Sequence, residues 1–164
     1  MVMIPKFTPE LLISTPLRGP AVPNHNGTLA LFSQSTHEPG GKTTKEHRVL
    51  SIHTGESKHL ISEEKARDVQ WIGDGTNTII YLSQGSNGYT WIKTVDADSD
   101  SAEPLVIDFV EAPVQHLKLK TLEDGSIAFV VAGLADAEHH LYNEESNYYD
   151  ENLYQKTTRS YLPN

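Results

Sequence analysis

Eight histidines, at positions 25, 37, 47, 53, 59, 116, 139 and 140, and 22 carboxylates offer this 164-residue chain metal ligation and acid–base chemistry by residue type. Their spacing withholds most of it. A helical zinc site needs His-Glu-x-x-His, which puts two imidazoles on one helix face, and the string is absent. The one dense cluster is His139-His140 beside Asp136 and Glu138. Adjacent residues of an extended segment point to opposite sides, so a solvated polar turn is the reading for it. The remaining histidines fall in loops or on strand faces and are read as surface residues. Glu63-Glu64 and Glu144-Glu145 pair carboxylates by type, but neighbours on a turn diverge, and nothing around them suggests burial that would shift their protonation. Asp96-Ala97-Asp98-Ser99-Asp100 begins like a calcium loop, yet the glycine at loop position six is lacking, Ala102 would not serve for it, and the closing glutamate is missing.

Nucleophiles fare no better. There is no cysteine, which excludes a thiol nucleophile, a disulfide framework and a zinc ribbon. The Gly-x-Ser-x-Gly elbow of serine hydrolases is absent. Gly85-Ser86-Asn87-Gly88 comes nearest, with the wrong spacing and between two strands, so it reads as a hairpin loop. Neither a dinucleotide fingerprint nor a phosphate-loop lysine occurs. Trp71 and Trp91 lie in strands, where aromatics wedge between neighbouring sheets as core rather than stack on a ligand. No catalytic, cofactor-binding or metal-binding residue is therefore assigned, and no cofactor is expected.

What these residues sit on is a repeat. Asn26-Gly27-Thr28, Asp74-Gly75-Thr76 and Asp124-Gly125-Ser126 each precede an apolar, β-branched run, and their glycines lie 48 and 50 residues apart. Asn-Gly and Asp-Gly supply the positive φ of tight hairpin turns. A β unit repeated at this period belongs to propeller blades. Strands are expected over 28–35, 48–53, 58–61, 69–72, 78–83, 89–95, 104–109, 114–121 and 126–132. They form one blade at about 26–61, a second at about 67–109 and the opening hairpin of a third from 114. In the strand from Val114, and with Val114 itself as the exception, His116, Lys118 and Lys120 share one face while Leu117, Leu119 and Thr121 share the other. Brief helical turns are expected at Thr8 to Leu12, where Thr8 caps and Pro9 suits the first position, at Ser62 to Ala66, and near Glu144.

The fold expected is thus all-β: a partial β-propeller of about two and a half blades of antiparallel meander. A proline-rich segment (1–25) precedes the propeller part (26–134), and an irregular, acidic, tyrosine-rich tail (135–164) follows. Gly27, Gly75 and Gly125 are its structural turn positions. The formal net charge of −9 repels phosphate backbones and anionic bilayers, so neither nucleic acid nor membrane is an expected partner. The first residues hold no apolar stretch of signal-peptide length, and Pro5 and Pro9 interrupt them, which points to a cytoplasmic location. Asn26-Gly27-Thr28 also fits a glycosylation acceptor, although the turn role is the stronger reading.

The ordered segments Phe7-Thr8-Pro9-Glu10-Leu11-Leu12, Pro16 to Asn24 and Gly27 to Ser33 resemble the N-terminal propeller of fungal dipeptidyl peptidase V-like proteins, in the prolyl oligopeptidase group of serine peptidases. Arg48-Val49-Leu50 with Thr54 to Ser57, then Val69 to Gly75, Asp124 to Phe129 and Leu141-Tyr142-Asn143, extend the likeness over roughly residues 6–143. The resemblance implies a propeller lying over a C-terminal α/β-hydrolase domain that carries a Ser-Asp-His triad and cleaves short peptides, the propeller keeping folded proteins out. No triad position carries over, since 1–164 stops before such a domain, and beyond Asn143 the pattern is lost. Three readings stay open: a non-catalytic propeller fragment, a small protein-binding module, and an enzyme working through unrecognised carboxylates. The first is expected. Its partners would be a hydrolase domain, or further copies meeting through uncovered blade faces.

Overall fold

A computed structural model describes residues 15–38, 40–99 and 103–144. The helical turn expected at Thr8 to Leu12 and most of the 135–164 tail lie outside the described residues. Within them the protein is all-β, built from antiparallel sheets, with a single short 3-10 turn at Ser86–Gly88 and no α-helix. The chain divides into two compact units between Glu64 and Lys65.

The first unit holds one sheet: β1 (Leu17–Arg18), β2 (Val22–Pro23), β3 (Leu29–His37), β4 (Thr43–Ser51) and β5 (Ser57–Ile61), in the order β1-β3-β4-β5 with β2 also on β3. Because β4 takes one edge of β3, β1 and β2 share the other as a single interrupted strand. The sheet therefore begins before the expected start near 26 and draws in the proline-rich segment. Pro23 pairs with Ala30 on that outer edge, where a residue without an N–H is tolerated. Strands β3 and β4 run on through the polar stretch expected to be loop, pairing from Leu29↔Ser51 to His37↔Thr43. Backbone pairing sustains this ladder where the side chains give no apolar alternation.

The second unit holds β6 (Ala66–Trp71), β7 (Thr78–Gln84), β8 (Thr90–Asp96) and β9 (Leu105–Val110) in sequential order, and a two-stranded sheet of β10 (Val114–Thr121) and β11 (Ile127–Gly133). The helical turn expected at Ser62 to Ala66 is absent: Glu64 and Lys65 form a plain turn and Ala66 already opens β6. Four residues between two strands leave no room for a helical nucleus. Both faces of β7 are buried, with Ile79, Ile80, Tyr81 and Leu82 each at most 2% exposed, so it reads as a continuous apolar run.

The two sheets of this unit share a core of Ile80, Leu82, Ile92, Val114 and Leu117, with Ile107, Val110, Phe129 and Val131 against it. A one-residue register shift makes this possible. Between Gln115 and Lys118 the pairing of β10 slips, with His116 at φ 60. Val114 and Leu117 thereby both face the core, which strict alternation forbids and which accounts for Val114 as the exception. The shift recurs in β6 between Arg67 and Gln70, with Asp68 at φ 52, 48 residues earlier. In the first sheet, three residues between Arg18↔Gln34 and Val22↔Leu31 face two on β3, the same one-residue excess. The repeat thus extends from the turns into the strands.

Candidate functional site

The three turn phrases adopt one local structure. Gly27, Gly75 and Gly125 have φ of 72, 93 and 82°. One residue before each glycine, a side-chain Oδ1 accepts both the N–H and the hydroxyl of the residue after it. Thr76 and Ser126 donate in this way to Asp74 and Asp124, and Thr28 donates to Asn26. The hydroxyl and N–H of Ser126 hold the Asp124 carboxyl below the usual carboxylate range. These acids serve as turn caps.

Most of the chemically suggestive residues have similar local duties. In the Asp136–His140 turn, Asp136 Oδ1 accepts N–H bonds from Glu138 and His140, each 2.9 Å. His140 Nδ1 lies 3.5 Å from Asp136 Oδ2 and 3.9 Å from Glu138 Oε2, and His139 is left-handed at φ 69. The bond from the His140 N–H, chiefly, lowers the Asp136 pKa. Ala135 and Leu141 bridge the base of the turn. Asp98 receives both its bonds of 3.0 Å from the Asn77 amide and its own N–H donates to Asp96, so the calcium-like string ties two hairpin ends together; Asp100 lies outside the described residues. Glu63 is half-buried and Glu64 exposed. No group of three or more metal-ligating side chains forms among the described residues.

Gly85-Ser86-Asn87-Gly88 joins β7 to β8, with a strand after it where a nucleophile elbow needs a helix. Its shape serves packing: a Cβ on Gly85 would stand 2.4 Å from Trp91 Nε1. Trp91 does not join the core shared with β10 and β11. It lies on the other face of β8, 5.3 Å from the ring of Phe109, which stacks on Tyr89 at 6.1 Å.

His47 departs from the surface role expected of it. It is 8% exposed on β4, opposite Ser33 on β3 and Ile61 on β5. Its Nε2 is buried without a hydrogen-bond partner. Burial, and secondarily the charge of Lys45, lower its pKa from 6.5 to about 4. The sequence held a faint signal: in Lys45 to Leu50, His47 shares its parity with Val49. A groove of about 580 Å³ lined by Leu29, Val49, Ser51, Glu56, Ser57 and Lys58 was not foreseen either, since only strand pairing brings those residues together.

No protein-family model matches the chain. Curated relatives do. Over 146 residues, 85% of this chain, it is 31% identical to dipeptidyl-peptidase 5 of Aspergillus oryzae, covering 20% of that protein. It is 28% identical over 145 residues to dipeptidyl-peptidase 5 of Aspergillus fumigatus, and 30% over 144 residues to that of Trichophyton schoenleinii, covering 19% of each. The chain spans about a fifth of the length of the relatives it matches. Similarity to fungal dipeptidyl peptidases, first read from ordered sequence segments, is thus found in named proteins across most of the chain.

Proposed function

We propose that this polypeptide is a non-catalytic propeller segment of a dipeptidyl-peptidase-like protein, acting as part of the domain that gates substrate access to a separate serine-hydrolase domain. The observation that carries this reading is the match to dipeptidyl-peptidase 5 over 85% of the chain but only a fifth of each relative. The repeated, bulged meanders support it, because a propeller is built by repeating antiparallel meanders. So does the use of Asp74, Asp124 and Asp136 as turn caps, which leaves them no catalytic task. Serine-type chemistry would come from a triad elsewhere, since nucleophile, base and orienting acid must be held together. In that arrangement the chain docks through sheet faces and edges onto further blades or the hydrolase domain.

Two assays test the proposal. The purified chain should release no product from a chromogenic dipeptide substrate. Mixed with the remaining C-terminal portion of the Aspergillus oryzae relative, it should co-elute in size-exclusion chromatography. Turnover by the chain alone would overturn the reading in favour of a self-sufficient enzyme. A stable monomer that unfolds cooperatively and ignores the relative's C-terminal portion would favour an independent binding module.

A further inference from the structure

Asn-Gly occurs twice in the chain, at Asn26-Gly27 and Asn87-Gly88. A glycine after asparagine leaves the following backbone nitrogen sterically open to the side-chain carbonyl carbon. The two sites are otherwise unlike. Asn26, Gly27 and Thr28 are exposed, and nothing lies within 4 Å of where a Gly27 Cβ would be. Gly88 is buried, and the Asn143 side chain fills the space beside its Cα. At Asn26 the amide oxygen Oδ1 also accepts two donors, the Thr28 hydroxyl and, at 3.0 Å, the Thr28 N–H, which it shares with Asn24 Oδ1. The hydroxyl is oriented by the Asn24 amide, whose Nδ2 donates to Thr28 Oγ1 at 3.2 Å.

We infer that Asn26 is a site of spontaneous deamidation and that the Thr28 turn promotes it. Gly27 N attacks Asn26 Cγ, and a new N–C bond closes a five-membered succinimide. The Gly27 N–H donates to Asn24 O at 3.2 Å in the resting turn, so it must first leave that long bond; its proton then passes to solvent base, the Cγ–Nδ2 bond breaks, and Nδ2 takes up a proton and leaves as ammonia. Water then opens the ring to aspartate or isoaspartate. During the attack, negative charge gathers on Oδ1, where the two Thr28 donors already point; donors placed on a developing oxyanion lower the barrier. The fold is prepared for the aspartyl product. Asp74 and Asp124 occupy the corresponding place in the other two turns with the same pair of bonds. The inference rests on turn geometry and stands whether or not the peptidase reading holds.

The experiment ages the full chain at mildly alkaline pH and follows it by ion-exchange chromatography and peptide mapping. Each conversion adds about one dalton and one negative charge. Asn26 should convert well ahead of Asn87. Thr28→Ala should slow Asn26 by about threefold or more, a small share of what one oxyanion donor contributes in an enclosed enzyme site, and Thr28→Ser should restore the rate. Asn26→Asp should melt within a degree or two of the parent chain. If the Thr28 bonds merely restrain the turn, Thr28→Ala converts faster, and that result overturns the inference; so do an unchanged rate and conversion of Asn87 first. Should Thr28→Ala not fold, Thr28→Val keeps the side-chain shape without the hydroxyl and gives the same reading.

Discussion

Lowering the pH from 7 to 5 should destabilise the protein through His47 in particular. Its imidazole is 8% exposed between Ser33 and Ile61, with Nε2 unpartnered, and its pKa in the folded chain falls from 6.5 to about 4. The sign follows from linkage. Above pH 6.5 both folded and unfolded chains hold His47 neutral, and it adds nothing to the pH dependence. Below 6.5 the unfolded chain binds a proton that the folded chain refuses until about pH 4, so stability falls across that window. The loss amounts to about 2 kcal/mol by pH 5, approaching roughly 3 kcal/mol near pH 4. Urea unfolding followed by far-UV circular dichroism, at pH 7 and 5, measures it. The comparison is His47→Leu, of similar volume and with nothing to titrate. At pH 7 the variant should equal or exceed the parent chain, because an unpaired buried polar atom has been removed. At pH 5 its advantage should widen by about 2 kcal/mol. Parallel losses in the two proteins would refute the argument, since carboxylates and exposed histidines contribute equally to both.

Other contacts give further expectations. Thr90, 2% exposed, donates to Ala112 O at 2.9 Å and accepts from Val114 N at 3.1 Å; Thr90→Val keeps the shape, strands both backbone groups and should cost about 2 kcal/mol in urea unfolding. Gly85→Ala drives a methyl into the Trp91 indole nitrogen, so it should lower stability by about 1–3 kcal/mol and change tryptophan emission in the folded state. Asn143 donates to Asn87 O at 2.9 Å and Glu111 O at 3.0 Å, and Asn143→Ala should cost about 1 kcal/mol and speed amide exchange in the Asp136–His140 turn before β7 or β8 responds.

What the sequence discloses follows from which forces leave marks in it. Turn chemistry does: a positive φ demands glycine, and Gly27, Gly75 and Gly125 sit where they were expected. So does a strand buried on both faces, such as β7, or bounded by sharp alternation, such as β10, whose limits Val114 and Thr121 match the expectation. Backbone pairing leaves no such mark. The polar ends of β3 and β4, and the two-residue strands β1 and β2 beside prolines, are held by ladder bonds that any side chain permits. Bulges are hidden for a related reason. Asp68 and His116 adopt positive φ without being glycine, and their repeat is visible only in the pairing. His47 was misplaced because a lone histidine among polar neighbours looks solvated until the strands on either side are in place.

The bulges also explain why carboxylates and amides cluster where chemistry was first sought. Each register shift leaves backbone groups of one strand without a ladder partner, and side chains must supply one. In the second unit Asp68 and Gln70, at the β6 shift, reach across to the β10 shift: Asp68 Oδ2 accepts the Leu117 N–H at 3.1 Å and the Gln70 amide donates to Leu117 O at 2.9 Å. One irregular strand thus satisfies the next, and neighbouring sheets are keyed to each other by polar bonds that a flat ladder would not require. Asp74, Asp124, Asp136 and Asp96 do the same for turns. A meander repeated with a bulge in every unit needs many short acids and amides for its own backbone. A high count of them in such a chain therefore measures the irregularity of the scaffold, and a catalytic carboxylate would have to be recognised by what remains after the backbone has been served.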